Sequence, residues 1–119
     1  MEFDEENVLR ALRKAWSPES SSLWTEENPA RGQCGVTALV LQDHFGGEIR
    51  KTPTDGGLHF YNIINDQRCD LTADQFDQKP EYLDQPSNRD EAFGDTNAHR
   101  YAILTDRFEA VLSAEGYDP

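Results

Sequence analysis

Lysine is scarce in this 119-residue chain, and acidic residues outnumber basic ones two to one. Only three of the 11 basic residues are lysine, against 23 aspartates and glutamates, and the formal net charge is −12. No cluster of basic residues occurs, although proteins that bind phosphate backbones need one. This excludes nucleic acid as a predicted partner. A run of about 18 apolar residues, the length that spans a membrane, is also missing, so no membrane partner is predicted.

Cysteine is rare as well, and no cationic leader followed by an apolar run is present. Both features favour a cytoplasmic protein, in which we expect Cys34 and Cys69 to remain free thiols. The length suits one domain over residues 1–119. High acidity with little lysine also fits a protein adapted to high salt, because dense surface carboxylates hold water while salt screens their mutual repulsion.

Apolar residues at helical spacing predict three helices, over 5–16, 34–45 and from Asp95 or Thr96 to Gly116. The second is apolar on most faces, which predicts a buried helix. Three strands are predicted over 48–52, 58–64 and 68–71, and the polar segment 72–95 is predicted as a loop. The sequence therefore predicts an α+β fold, in which a central helix packs on a three- or four-stranded antiparallel sheet between N- and C-terminal helices.

The last two predicted strands form a hairpin through segment 65–67. If Asn65 and Asp66 are its two turn residues, His59 lies on the same face of the sheet as Asp70, at a diagonal position. Such neighbours are about 7 to 8 Å apart along the backbone, which side chains can bridge. Cys69 then points to the opposite face.

Cys34 begins the most apolar predicted helix of the chain. A thiol at a helix N-terminus lies among unpaired backbone N–H groups at the positive end of the helix dipole, and both favour the thiolate. With His59 and Asp70 downstream, the chain contains a nucleophile, a base that takes its proton and an acid that orients the base. These residues predict a Cys-His-Asp catalytic triad.

Each of these residues also has a structural interpretation. Cys34 fits a small core side chain, His59 a hydrogen-bonded core imidazole, and Asp70 a cap for the turn that follows it. Cys69 is predicted to be structural. A zinc site that uses Cys34 and His59 is a further alternative, although no CxxC, HxH or HExxH spacing supports it.

The chain resembles the YunG-like proteins, a family of small, mostly uncharacterised prokaryotic domains. The resemblance covers roughly residues 23–112 and depends on a combination of short motifs rather than on one of them. These motifs are Trp24, Asn28-Pro29, Gly32-Gln33-Cys34, Thr37-Ala38-Leu39, Gly46-Gly47, His59-Phe60-Tyr61-Asn62, Asp70-Leu71-Thr72, Gln75-Phe76 and Arg100-Tyr101.

More remotely, the order of elements is similar to that of the papain and transglutaminase superfamily. That resemblance implies a thiol hydrolase or acyltransferase on a peptide, amide, isopeptide or thioester substrate, with Cys34, His59 and Asp70 at the catalytic positions and no cofactor or metal. It places Asn28 where papain-like enzymes carry an oxyanion-binding glutamine. We expect the Cys34 N–H and one side-chain amide, from Asn28 or Gln33, to bind the oxyanion.

The small size of the chain leaves a second function open. Full proteases of this type use a second lobe to form a substrate cleft, so segment 76–93 or the partner in a homodimer has to supply the missing wall. The alternative is a catalytically inert binding module of the same fold.

Overall fold

The first helix, α1, spans Glu5–Ala15 in the computed structural model, which describes residues 1–118. Its N-cap is Asp4, whose carboxylate accepts the Asn7 N–H at 3.2 Å. Val8, Leu12 and their apolar neighbours recur on one face of the helix and are fully buried. The predicted helix is therefore confirmed, and it ends one residue before the predicted boundary.

The central helix, α2, spans Cys34–Phe45, as predicted. It ends where Gly46 and Gly47 take positive φ values of +72° and +79°. At Gly47 the backbone also passes so close to the next strand that a Cβ would lie 2.0 Å from the Ile63 carbonyl oxygen. Every residue of α2 from Cys34 to Leu41 is buried, because α2 contacts both the sheet and the other helices.

The sheet has four antiparallel strands in the order β3-β2-β1-β4. Strand β1 spans Glu48–Thr54, β2 Gly57–Ile64, β3 Gln67–Cys69 and β4 Gln85–Pro86. The polar segment before the last helix was predicted as a loop, and this was wrong in part. It contains β4, a short 3₁₀ helix (Ala73–Gln75) and the helix α3 (Arg89–Phe93).

The β2–β3 hairpin has the predicted register. Ile64 pairs with Gln67, which leaves Asn65 and Asp66 as the two turn residues. Their φ values of 53° and 63° are those of the turn type that joins two twisted strands most closely. This turn fixes which residues of β2 and of the chain after β3 share a face.

The last helix, α4, spans Ala98–Ala114 and begins after Asn97, whose side chain accepts the Arg100 N–H. It starts later than predicted because Asp95 and Thr96 belong to a turn after α3. Three apolar residues of α4 are fully buried: Leu104, Phe108 and Leu112.

The buried residues form two clusters, one between α1, α2 and α4 and one between α2, the sheet and α3. Cys69 lies in the first and Cys34 in the second, and both are free thiols. In the loop before α2, Leu23 is 53% exposed, whereas Trp24 packs against the first cluster. The architecture is α+β, as predicted. No helix among residues 1–118 is both long and apolar enough to cross a bilayer.

Candidate functional site

The thiol of Cys34 lies at the first residue of α2, against strand β2. Its side chain is nearly buried, at 8% exposure, and the backbone of Phe60, the residue after His59, lies beside the sulfur. The Sγ–H donates to Oδ2 of Asp95 at 3.3 Å, and the same oxygen accepts the Gly35 N–H at 3.1 Å. Asp95 therefore occupies the N-terminal end of α2.

These surroundings favour the thiol over the thiolate. Burial raises the pKa of Cys34 to about 12, and the neighbouring carboxylate of Asp95 acts in the same direction. The Asp95 carboxyl also loses water to the surrounding protein, which raises its own pKa. The sequence predicted a lowered thiol pKa from the helix N-terminus alone. In the structure, the loss of hydration on burial and the nearby Asp95 carboxylate outweigh the effect of the helix N-terminus.

The imidazole of His59 is held by Asp70, as the hairpin register predicts. Both side chains are buried, and His59 Nε2 lies 2.7 Å from Asp70 Oδ2. Asp70 also accepts the Tyr82 hydroxyl at 2.7 Å and the Thr72 hydroxyl at 3.3 Å. Because a carboxylate only accepts, the hydrogen on this side of the ring is on Nε2. A neutral His59 then carries a free lone pair on Nδ1.

Packing fixes the orientation of the His59 ring as well. Phe76 meets it edge-on, with ring centroids 4.8 Å apart, and Tyr61 lies 5.8 Å away on β2. The Nδ1 atom is buried and has no hydrogen-bond partner among residues 1–118. In this state the Cys34 thiol is hydrogen-bonded to Asp95 and makes no hydrogen bond to His59 Nδ1.

Cys34 and His59 line one surface cavity of about 360 Å³, which we call the Cys34 cavity. Asp95, Gln75 and Phe76 line it from the segment after β3, and Asp70 lies behind His59. The remaining lining residues are Leu23, Arg31, Gly32, Thr54, Gly56 and Leu58. Residues that are far apart in the chain thus meet at one cavity.

The two amides that the sequence suggested for oxyanion binding lie outside this lining. The Gln33 side chain is fully buried, and neither end of its amide has a hydrogen-bond partner among residues 1–118. Asn28 Nδ2 donates to the backbone carbonyl of Gln75 at 3.3 Å. The Cys34 N–H has no hydrogen-bond partner within the described residues.

Sequence reasoning missed Asp95 and Gln75 as residues of the cavity. Asp95 was interpreted as a helix start and Gln75 as part of the predicted loop 72–95. Nothing local marks either as a neighbour of Cys34, since 61 and 41 positions separate them along the chain. Within residues 1–118, no group of three or more His, Cys, Asp or Glu side chains is arranged to hold a metal ion. Cys69 lies away from the Cys34 cavity, in the other apolar cluster.

Fold and site together define a small α+β protein with a thiol, an imidazole and a carboxyl group at one cavity. The chain belongs to the YunG family, whose family model, described as "YunG protein", matches residues 4–113. It is 54% identical over 109 residues to a protein of Bacillus subtilis (strain 168) described as "Uncharacterized protein YunG". That match covers 92% of this chain and 95% of the relative. No solved structure matches the chain.

Proposed function

We propose that this protein is a thiol hydrolase or acyltransferase of the papain-like or transglutaminase-like type, with Cys34 as nucleophile, His59 as base and Asp70 as orienting acid. One observation carries the proposal: Cys34 and His59 line the same cavity, while Asp70 holds Nε2 and leaves the buried Nδ1 unpaired. An unpaired buried nitrogen costs about 1 to 3 kcal/mol, and at the wall of a cavity His59 Nδ1 can recover it by accepting the proton of a thiol or a substrate.

The proposed proton transfers follow from the tautomer of His59, which carries its hydrogen on Nε2 and leaves Nδ1 able to accept a proton. His59 Nδ1 takes the thiol proton, and the thiolate sulfur of Cys34 attacks the carbonyl carbon of an amide or thioester substrate. When the tetrahedral intermediate collapses, the bond from the carbon to the leaving nitrogen or sulfur breaks, and Nδ1–H protonates the leaving group. Water or a second amine, deprotonated by Nδ1, then attacks the Cys34 thioester and regenerates the thiol.

The hydrogen bond to Asp95 makes this a two-step activation. In the resting arrangement the thiol proton faces a carboxylate, and the thiol pKa is about 12. The mechanism requires a rotation about the Cα–Cβ bond of Cys34 that turns the Sγ–H from Asp95 towards His59. We propose that a substrate carbonyl entering the Cys34 cavity favours this rotation, so that substrate binding increases the thiolate fraction.

An acylation experiment tests the proposal. p-Nitrophenyl acetate is mixed with the protein, nitrophenolate release is followed, and the acetylated residue is located by mass spectrometry. We expect an acetyl group on Cys34 and a rate at least about 100-fold lower in His59→Ala, since a general base contributes about 10² to 10⁴. Cys69→Ser is the matched control and should react like the wild type.

Iodoacetamide labelling of the same variants gives a second measurement. Cys34 should be alkylated faster than Cys69, because Cys69 is buried away from the cavity, with a pKa also raised to about 12. His59→Ala should slow the labelling of Cys34. Absence of an acyl adduct on Cys34, together with equally slow alkylation of both thiols, would contradict the enzyme proposal.

The raised thiol pKa favours a second candidate, the inert binding module. In that case the Cys34 cavity binds a ligand without covalent chemistry, and Cys34 stays protonated in every state. The pH dependence of alkylation, measured with and without an acyl substrate analogue, separates the two. A thiol pKa that falls when the analogue binds supports the enzyme, and an unchanged pKa supports the binding module.

A further inference from the structure

The side-chain amide of Gln75 has one end fixed and one end free. Its Oε1 accepts the Gly32 N–H at 3.3 Å. Its Nε2 is buried and has no hydrogen-bond partner among residues 1–118, although Gln75 lines the Cys34 cavity. Buried donors are usually paired in native proteins, so an unpaired donor beside a cavity is available to an acceptor that enters the cavity.

The backbone around Gln75 is also held in place. It ends the 3₁₀ helix Ala73–Gln75, its N–H donates to the Thr72 carbonyl at 3.1 Å, and its carbonyl accepts Asn28 Nδ2 at 3.3 Å. Gln75 is therefore held at three points before any ligand binds, two on its backbone and one at its side-chain oxygen. Preorganised donors of this kind stabilise developing charge without reorganising at the moment of reaction.

Gly32 links this amide to the nucleophile, because it lies two residues before Cys34. Its φ is +74°, and a Cβ at this position would lie 2.4 Å from Ser21 Oγ. The turn 31–33 thus requires glycine at position 32, and the Gly32 N–H ties the Gln75 amide to the chain just before α2. The Cys34 N–H, at that start, is the second donor without a partner.

We infer that Gln75 Nε2 and the Cys34 N–H together bind the oxyanion of the tetrahedral intermediate, an inference that rests on the proposed function. When Cys34 Sγ bonds to the substrate carbonyl carbon, the π electron pair of the carbonyl moves to its oxygen, which accepts both N–H groups. The pair returns to the C=O bond when the leaving group departs with the proton from His59. In this role Gln75 is a catalytic residue, and it replaces the amide expected from Gln33 or Asn28.

The test compares two reactions of the same sulfur. Acylation by p-nitrophenyl acetate passes through an oxyanion, whereas alkylation by iodoacetamide displaces iodide at carbon and forms none. Gln75→Glu keeps an oxygen for the Gly32 N–H but replaces the free donor by an acceptor, and Gln75→Ala removes both ends. Gln78→Glu, at an exposed position in the same segment, is the charge-matched control.

We expect both Gln75 variants to lower the acylation rate by about 100-fold, as for the loss of one oxyanion donor, with alkylation changed less than about threefold. Thermal unfolding by circular dichroism checks that they fold, and Gln75→Glu serves if Gln75→Ala does not. Equal acylation rates in wild type and Gln75→Glu, or a parallel fall in both reactions, would overturn the role of Gln75 while leaving the triad intact. Absence of wild-type acylation overturns the proposed function and this inference with it.

Discussion

Replacing Asp95 by asparagine should make the Cys34 thiol more reactive. Asparagine has nearly the same shape, and its side-chain oxygen still accepts the Gly35 N–H that Asp95 accepts at 3.1 Å. What the substitution removes is the negative charge beside the sulfur. Because that charge opposes thiolate formation, its loss lowers the thiol pKa from about 12.

The size of the effect follows from the distance of 3.3 Å between Cys34 Sγ and Asp95 Oδ2. Two negative charges at this separation repel each other by about 1 kcal/mol in bulk water and by about 5 kcal/mol at an effective dielectric constant of about 20. Asp95 as a whole is an exposed residue although its carboxyl is partly desolvated, so solvent screening places the effect nearer the lower value. The pKa should fall by about one unit.

A lower pKa raises the thiolate population but weakens each thiolate as a nucleophile. With a Brønsted coefficient of about 0.4 to 0.5, one pKa unit gives a net rate gain of about threefold at a pH below both pKa values. The assay is the rate of iodoacetamide alkylation of Cys34 between pH 7 and 10, read by peptide mass spectrometry. Asp90→Asn, on an exposed position of α3, is the matched control. An unchanged rate in Asp95→Asn, or an equal gain in Asp90→Asn, would refute the reasoning.

Three further predictions concern stability. Tyr61→Phe should lower the free energy of unfolding in urea by about 1 to 3 kcal/mol. The reason is that the Tyr61 hydroxyl donates to the Asp84 carboxylate at 2.8 Å and accepts the Asp84 N–H at 2.9 Å. A change below about 0.5 kcal/mol would show that water replaces the hydroxyl. Gly47→Ala should destabilise the protein by at least about 2 kcal/mol more than Gly46→Ala, because both positions have positive φ but only a Cβ at Gly47 meets the Ile63 carbonyl; similar urea midpoints for the two variants would count against this. If the charge of −12 reflects adaptation to salt, the melting temperature should rise steadily with KCl concentration, and full stability in dilute buffer would contradict the adaptation.

The parts of the site that depend on local rules could be predicted from the sequence. The apolar run and the two glycines after it determine the bounds of α2, and the Asn65-Asp66 turn determines that His59 meets Asp70. Both follow from the backbone preferences of a few consecutive residues.

The parts of the site that depend on long-range packing could not be predicted from the sequence. Asp95 reaches Cys34 from a turn between two helices, and Gln75 reaches Gly32 from a 3₁₀ helix. No local pattern specifies either contact. The error in the expected thiol pKa has the same origin, because burial and a carboxylate distant in sequence outweigh the helix end that the sequence reveals.

The tight turn between β2 and β3 constrains how this family can vary. Asn65 and Asp66 are exposed and take no part in the proposed chemistry, yet the alternation of side chains along the hairpin starts from them. Inserting or deleting a single residue in this turn would shift the register of the hairpin by one residue. Asp70 would then lie on the opposite face of the sheet from His59. We therefore expect the length of this turn, although it lies away from the Cys34 cavity, to be conserved as strictly as His59.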